Sequence, residues 1–295
     1  MELGLKADIL ASTASTYKSS VGLYLRWRDA FGVGDQPITE KLLCKLCWLF
    51  CHDHKSTGLS AWLSAIEDHH ARQGWPPLPR GKRYKRTQRS IANIFGQIDF
   101  RAPAVPLCKK DLLRIRSALD LSRLDHAMFW LGCLLGLQAL LRASEFCGEQ
   151  LKWHQLTPIS GGLRLCVNWS KTKRSPHLVT VAEDGGDFCI VQAFLQVLRL
   201  KPAHNKEPVI TLSYSQFNTM LKRFYEEAVG DPLGISSHSL RRGGTTALVW
   251  QGIPDSVIMA HGRWTSSAWR DYIDLSAIQQ LVAARALLRD NSPLA

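Results

Sequence analysis

The chain has 295 residues, of which 45% are hydrophobic and 21% charged, a composition that excludes a disordered protein and fits two globular domains. Its longest apolar stretch, residues 127–141, is too short to cross a bilayer, and the amino terminus lacks a secretory signal. An intracellular protein with reduced cysteines is therefore expected. A formal net charge of +12 favours an anionic partner.

The first hundred residues predict an all-α domain, residues 1–100. Apolar residues recur at helical intervals, and the predicted helices lie at about residues 17–30, 40–48, 61–70 and 87–95. Thr39 and Ser60 are the predicted N-caps of the second and third helices. Prolines within residues 74–83 break the helical pattern before the fourth helix.

A run of basic residues without any acidic residue occupies positions 80–89. Its members are Arg80, Lys82, Arg83, Lys85, Arg86 and Arg89. One interpretation is a hydrated surface that keeps the protein in solution. The other, favoured by the net charge, is a segment that contacts phosphate groups, which gives an affinity that falls steeply with salt.

A group of cysteines and histidines invites a metal-site interpretation: Cys44, Cys47 and Cys51 precede His52 and His54. The cysteines, however, follow helical spacing among apolar residues, and the chain has no second CxxC pair to complete a zinc site. A free cysteine packs as a small apolar side chain. The sequence therefore predicts that the three cysteines lie on the core face of a helix, and it assigns no metal ligands.

A proline-containing segment, residues 101–110, predicts a linker to a second domain, residues 111–295. The predicted helices of this domain lie at about residues 111–119, 123–141, 187–199, 214–229, 239–251 and 276–289. Two short strands are predicted at 163–168 and 177–181, with a basic turn between them. The domain is therefore predicted to be mainly α with a small antiparallel sheet.

Arg142 lies beside a long apolar stretch, where a guanidinium group needs a planar anionic partner. Two partners are open: a carboxylate, from Glu145 or Glu149, or a phosphate. The sequence alone does not decide between them.

His238 and Arg241 are three residues apart, so both project from one face of a helix start. Ser239 is the predicted N-cap, and Gly243 and Gly244 allow close backbone approach. Free backbone N–H groups together with His and Arg side chains make such a helix start suitable for an anion.

Tyr272 follows a polar stretch and lies downstream of Arg142 and Arg241. Phosphoryl transfer requires positioning and charge stabilisation at the phosphoryl oxygens, and arginines supply both. This combination, in a basic chain without a metal-ligand cluster, indicates metal-free attack on a phosphodiester.

In chain order, these segments resemble the tyrosine recombinase (phage-type integrase) family. The family pattern has an arginine in a G-L-R-x-S-E-like segment, a hairpin lysine, an H-x-x-R motif, a His or Trp, and a carboxyl-terminal tyrosine. This chain has LLRASEF, SKTKR, HSLR, GRW and Tyr272 in that order. The HSLRRGGTTAL and GRWTS segments are most similar to recombinases of eukaryotic mobile elements.

The resemblance implies a role for each matched residue. Tyr272 would attack the scissile phosphate and form a 3′-phosphotyrosyl link. Arg142 and Arg241 would hold the non-bridging oxygens. His238 would orient the phosphate or assist proton movement, and Trp264 would pack against the phosphate or donate to it from its indole N–H. A 5′-hydroxyl of a second strand would then reverse the reaction, so no cofactor is expected.

Two positions of the pattern stay open. The hairpin lysine, which would protonate the leaving 5′-oxygen, is Lys171 or Lys173; Lys171 is favoured, and Lys173 is then a DNA contact. The His or Trp position falls on Trp264 when counted forward from the H-x-x-R motif and on Arg263 when counted back from the tyrosine. His261 is a third candidate.

The resemblance also implies an architecture and partners. An all-α core-binding domain and a catalytic domain would clamp double-stranded DNA, and a homo-tetramer would act on two DNA sites. The amphipathic segment 277–288 is the candidate for a carboxyl-terminal helix exchanged between subunits, with packing on its own domain as the alternative. Rival functions are a type IB topoisomerase, a domesticated DNA-binding protein without catalysis, and an RNA-binding protein.

Overall fold

The computed structural model describes residues 11–96, 98, 99, 104–168, 176–202 and 205–273. The chain divides into two compact units, Met1–Arg101 and Ala102–Ala295. Lys171, Lys173 and the predicted helix at 276–289 lie outside the described residues. Among the helices that are described, none is both long and apolar enough to cross a membrane.

The described part of the first unit is helical. Its helices are α1 Ala11–Ala30, α2 Glu40–Asp53, α3 Leu59–Arg72 and α4 Lys82–Phe95, with a 3₁₀ turn at Ser56–Gly58. Cys44, Cys47 and Cys51 are buried on α2, which confirms the predicted core face. Burial raises the pKa of the Cys47 thiol to about 12, so this thiol packs as an uncharged group.

The start of α2 confirms one predicted cap, and the start of α3 corrects another. Thr39 Oγ1 accepts the backbone N–H of Leu42 at 3.3 Å and so caps α2. The helix α3, by contrast, begins at Leu59 directly after Gly58, and Ser60 lies inside its first turn. The predicted N-cap role of Ser60 is therefore wrong, because the preceding 3₁₀ turn leads directly into the helix.

The helix α4 begins at Lys82, earlier than the predicted start at about Thr87. The reason is a cap from a distant residue. The carboxylate of Glu40, in the first turn of α2, accepts the backbone N–H of Tyr84 at 2.8 Å and so satisfies a donor of the first turn. Most of the basic run at 80–89 therefore lies on a helix.

The described part of the second unit is mainly α with a small sheet. Its helices are α5 Lys109–Ser117, α6 Leu124–Leu137, α7 Ala143–Phe146, α8 Ile190–Leu200, α9 Tyr214–Ala228, α10 Ser237–Trp250 and α11 Asp255–Gly262, with 3₁₀ segments at Trp153–Gln155 and Ser267–Tyr272. The strands β1 Leu156–Ile159, β2 Gly162–Val167 and β3 His177–Ala182 form an antiparallel sheet in that order. The predicted fold class is confirmed.

The register of the sheet centres on Leu165 of β2, which lies opposite Leu156 of β1 and Val179 of β3. The sequence does not predict β1. This strand has only four residues, one of them Pro158, and proline is compatible with a strand only at an edge or at its ends.

The helix α6 is buried along almost its whole length, and α10 packs across it. A Cβ on Gly244 would lie 2.1 Å from the carbonyl oxygen of Leu137, and one on Gly243 would lie 1.8 Å from that of Leu107. Glycine is therefore required at both positions for close packing of the backbone. The close backbone approach that the sequence predicts for these glycines is therefore packing of α10 against other backbone segments of the protein.

The helix α10 begins at Ser237, with Ser236 as its N-cap, so the prediction that Ser239 caps it is wrong. Ser239 is instead the third helical residue, and its Oγ accepts the backbone N–H of Ser236 at 3.1 Å. This bond satisfies the backbone N–H of the N-cap residue at the helix start. The sequence does not predict α11, which leads to the 3₁₀ helix that ends at Tyr272.

Candidate active site

Three segments of the second unit meet around one buried carboxylate. They are the turn after α6 (residues 138–145), the helix α10, and the end of α11 with the 3₁₀ helix that follows it. The side chains that converge are Arg142, Glu145, Arg241, Arg263, Trp264 and Tyr272, and we call this set the arginine cluster.

Glu145 is the anion at the centre of the arginine cluster. Its side chain is 1% exposed and accepts from Arg263 Nη2 at 2.8 Å and from Arg142 Nη1 at 3.2 Å. Its Oε2 also accepts the backbone N–H of Arg142 at 2.9 Å. A carboxylate thus lies against Arg142, as one of the two sequence interpretations predicts, while the guanidinium remains 18% exposed.

Arg241 is the most deeply buried arginine of the cluster, at 1% exposure. Its Nη2 donates to the carbonyl oxygen of Gly262 at 2.7 Å, and its Nη1 donates to that of Leu140. Its Nε is buried and has no hydrogen-bond partner among the described residues. Burial, together with the charges of Arg142 and Arg263, lowers the pKa of Arg241 to about 9.

Leu140 supplies a carbonyl to two of these arginines from a strained backbone. Its φ is +49°, a left-handed conformation that L residues other than glycine adopt at a cost of roughly 1–2 kcal/mol. In this conformation its carbonyl oxygen accepts from Arg241 Nη1 and from Arg263 Nη2. The turn that ends α6 early therefore also orients the guanidinium groups.

Two aromatic rings lie over Arg241. Its Cζ is 4.2 Å from the centroid of the Trp264 ring and 5.5 Å from that of Tyr272, and the two ring centroids are 5.4 Å apart. A Cβ on Gly262 would lie 1.6 Å from the Trp264 ring, so only glycine fits beneath that ring. The rings confine the guanidinium group, and stacking of this kind stabilises a cation.

The three candidates for the His or Trp position have different surroundings. Trp264 lies over Arg241 beside Tyr272. Arg263 is buried against Glu145, and burial lowers its pKa. His261 Nε2 lies 2.7 Å from the carbonyl oxygen of Gln138. Of the three, the structure places Trp264 at the tyrosine.

The remaining predicted catalytic residues are His238 and a hairpin lysine. His238 is exposed on the first turn of α10, one turn before Arg241. Residues three apart on a helix share a face, so His238 and Arg241 lie along the same side of α10. Lys171 and Lys173 lie outside the described residues.

The sequence leaves the roles of two members of the cluster open. Glu145 is one of two carboxylates considered for Arg142, and Arg263 is one of three candidates for the His or Trp position. A sequence signal exists for Glu145, because it follows Arg142 by three residues within an apolar stretch. Nothing local identifies Arg263 as a partner of Glu145, because its hydrogen-bond acceptors lie more than a hundred positions away in the chain.

Lys173, one of the predicted DNA-contacting residues, lies outside the described residues. The others lie in the first unit and are all exposed: Arg80, Lys82, Arg83, Lys85, Arg86 and Arg89. Lys82, Lys85, Arg86 and Arg89 follow the spacing of one helix face, which we call the basic face of α4. Tyr84 and Ile91 are buried on the other side of the helix. Arg80 precedes the helix and pairs with Glu67.

Structure comparison relates the chain to recombinases bound to DNA. The XerH site-specific recombinase bound to its difH substrate matches with a TM-score of 0.62 at 15% identity, over 92% of this chain and 78% of that chain. The Tn1549 transposon integrase in complex with circular intermediate DNA matches with a TM-score of 0.62 at 14% identity, over 95% and 94%. A lambda integrase dimer bound to a COC′ core site matches with a TM-score of 0.57 at 16% identity, over 90% of each chain.

A scan against protein-family models finds no match, and neither does a search of curated proteins. At these identities the structural similarity establishes the fold. The chain has the fold of site-specific recombinases and integrases, as the resemblance to the tyrosine recombinases predicts.

Proposed function

We propose that the chain is a site-specific DNA recombinase that cleaves and rejoins strands through a 3′-phosphotyrosyl link on Tyr272. One observation carries the proposal: the arginine cluster holds more buried positive charge than its carboxylate neutralises, directly beside a tyrosine ring. The fold, shared with proteins crystallised on DNA, supports a DNA substrate.

The charge balance of the cluster favours binding of an anion. Arg142, Arg241 and Arg263 surround the single carboxylate of Glu145, and this carboxylate bonds Arg142 and Arg263 but not Arg241. Burying a cation without an ionic partner is costly, as the lowered pKa of Arg241 reflects. A phosphodiester at Arg142 and Arg241 would supply the negative charge and accept hydrogen bonds from the guanidinium groups of both residues.

The proposed reaction is an in-line transesterification. The phenolic oxygen of Tyr272 forms a bond to phosphorus, while the bond from phosphorus to the 5′-oxygen breaks. Lys171 gives a proton to that oxygen, and His238 assists removal of the phenolic proton. Attack by a 5′-hydroxyl on the phosphotyrosine reverses these steps and frees Tyr272, so phosphodiester bonds are conserved without a nucleotide cofactor.

Arg241 and Trp264 serve the transition state in this proposal. Charge on the non-bridging oxygens is stabilised by arginines that are already oriented, because little reorganisation is needed during the reaction. The carbonyls of Leu140 and Gly262 and the ring of Trp264 hold Arg241 in one orientation. Arg142, the more exposed arginine, completes the oxyanion contacts, and no metal ion is required for this stabilisation.

The first unit is proposed to be the core-binding domain. The basic face of α4 would contact DNA phosphates and supply affinity that does not depend on sequence. The full reaction is proposed to take place in a homo-tetramer on two DNA sites, with residues 277–288 linking neighbouring subunits.

A covalent trapping assay tests the proposal. The protein is incubated with a pool of nicked suicide DNA substrates in EDTA, denatured, and examined for a protein–DNA adduct. We expect an adduct with the wild type, none with Tyr272→Phe, and a normal amount with the control Tyr225→Phe, which removes a hydroxyl elsewhere in the second unit, on α9. Tight, salt-sensitive DNA binding without an adduct would instead indicate a DNA-binding protein that lacks catalysis.

A further inference from the structure

The backbone on both sides of Tyr272 is bonded to two side chains of α10 that the proposed reaction does not use. Arg242 Nη1 donates to the carbonyl oxygen of Asp271 at 2.7 Å, and its Nη2 donates to that of Ile273 at 3.1 Å. Thr246 Oγ1 donates to the carbonyl oxygen of Tyr272 itself at 3.1 Å. Three consecutive carbonyls are thus held by one helix.

These contacts matter because the segment that carries Tyr272 has few buried side chains. Within the 3₁₀ helix Ser267–Tyr272, Trp269 is the buried side chain, Tyr272 is half-buried, and the other residues are exposed. Short segments with few buried contacts open locally at low free energy. The hydrogen bonds from α10 therefore supply much of what keeps Tyr272 in place.

Arg242 is suited to positioning rather than to phosphate binding. Both of its terminal nitrogens donate to backbone carbonyls. The guanidinium of Arg142, by contrast, bonds a carboxylate and remains partly exposed. The planar fork of an arginine can hold two carbonyls at a fixed separation, which a lysine cannot do. Thr246 follows Arg242 by four residues, so both side chains leave the same face of α10.

We propose that Arg242 and Thr246 are positioning residues that fix the Tyr272 nucleophile against the arginine cluster. This inference rests on the proposed function. The neighbouring residue Arg241 belongs to the phosphate site, so α10 would hold the phosphate-binding arginine and the nucleophile in one rigid frame. A nucleophile displaced by about 1 Å loses roughly a hundredfold in rate, which makes such a frame effective.

The first test uses Thr246→Val, which replaces the hydroxyl by a methyl group of similar size, with Thr246→Ser as the conservative control. On a cleavable DNA duplex recovered from the trapping pool, we expect single-turnover adduct formation to fall roughly tenfold for Val and to remain near wild type for Ser. DNA affinity and thermal unfolding are expected to stay unchanged. A Val variant that cleaves at the wild-type rate overturns the proposal.

The second test uses Arg242→Ala with chemical rescue. We expect adduct formation to fall about ten- to a hundredfold, and millimolar guanidinium to restore part of it by occupying the vacated site. Guanidinium is expected to give no gain to the control Arg223→Ala, which removes an exposed arginine of α9. Loss of cleavage together with global unfolding, or wild-type cleavage by the variant, counts against a positioning role.

Hydrogen exchange separates this inference from the proposed function. In the free protein, we expect both variants to accelerate amide exchange at residues 267–273 while the core helix α6 keeps its protection. If the wild type forms no adduct but exchange rises there, the proposed reaction fails and the structural role of Arg242 and Thr246 stands. Unchanged exchange in this segment overturns the inference whatever the catalytic result.

Discussion

The basic face of α4 and the arginine cluster use the same kinds of side chain in opposite environments. On α4, Lys82, Lys85, Arg86 and Arg89 are exposed and hydrated. In the cluster, Arg241 and Arg263 are almost completely buried. Hydrated charges interact weakly and are screened by salt, whereas buried charges act in a medium of low polarity. The net charge thus indicates an anionic partner, but it does not reveal where chemistry takes place.

The difference also appears in how each set is neutralised. A lysine or arginine on α4 needs no partner, because water solvates it. The cluster requires Glu145, and even with it one guanidinium group lacks a carboxylate. Surface charges are therefore expected to set affinity and salt dependence, whereas the buried charges set stability and catalysis. Three experiments test this division, from the largest expected effect to the smallest.

Glu145→Gln should have the largest effect. It removes the only carboxylate of the cluster and leaves Arg142 and Arg263 without an ionic partner among the described residues. Loss of one partner from a buried ion pair destabilises by about 3–5 kcal/mol. We expect the free energy of unfolding of the second unit to fall by about that amount, measured by urea denaturation.

The matched control is Glu149→Gln, the same chemical change at an exposed position near the end of α7. We expect it to change stability by less than about 0.5 kcal/mol. Equal losses of stability for the two variants would show that the buried carboxylate of Glu145 contributes no more than an exposed one, and the charge argument for the cluster would fail.

Neutralising the basic face of α4 should have an effect of intermediate size, on the salt dependence of DNA binding rather than on stability. The triple variant Lys85→Gln, Arg86→Gln, Arg89→Gln removes charges without touching the core. Each lost phosphate contact reduces the slope of log affinity against log salt by roughly 0.9. We expect the slope to become less steep by about 2 to 3 in fluorescence anisotropy with duplex DNA, while adduct formation at saturating DNA persists.

Arg72→Gln is the control for this experiment, because Arg72 is on α3 and already donates to Asp68 at 2.7 Å. It removes a positive charge from the same unit and should leave the slope nearly unchanged. If the triple variant keeps the wild-type slope, the basic face of α4 is only a hydrated surface, as the other sequence interpretation holds.

Local sequence signals predicted the parts of the fold that local forces determine. Thr39 caps α2 through its own hydroxyl, and the apolar stretch from residue 127 forms the buried helix α6. Long-range contacts explain the errors. The start of α4 depends on Glu40, which lies far earlier in the chain, and the end of α6 depends on the left-handed turn at Leu140.

The candidate site shows the same limit. The order of its motifs singled out Arg142, Arg241 and Tyr272, and the structure brings these three together. Spacing alone left the His or Trp position open. Trp264 and Arg263 differ in their contacts, since the ring of Trp264 lies over Arg241 whereas Arg263 is buried against Glu145, and neither contact is encoded within a few residues.

Sulfate should stabilise the protein through Arg241, the smallest of the three effects. Sulfate carries the tetrahedral oxygens of a phosphate, so it should bind where the pKa of Arg241 is lowered by burial and by neighbouring arginines. At about ten times its dissociation constant, a ligand specific for the folded state adds about 1.4 kcal/mol.

Sulfate also stabilises proteins without a site, because it is excluded from their surfaces. Arg241→Met measures that general effect, since it keeps an apolar chain and removes the charge. We expect the sulfate-dependent rise in melting temperature to be larger for the wild type than for Arg241→Met and equal to the wild type for Arg72→Gln. The same rise in all three proteins would mean that the buried positive charge of the cluster attracts no anion, and the assignment of Arg241 to the phosphate site would lose its physical basis.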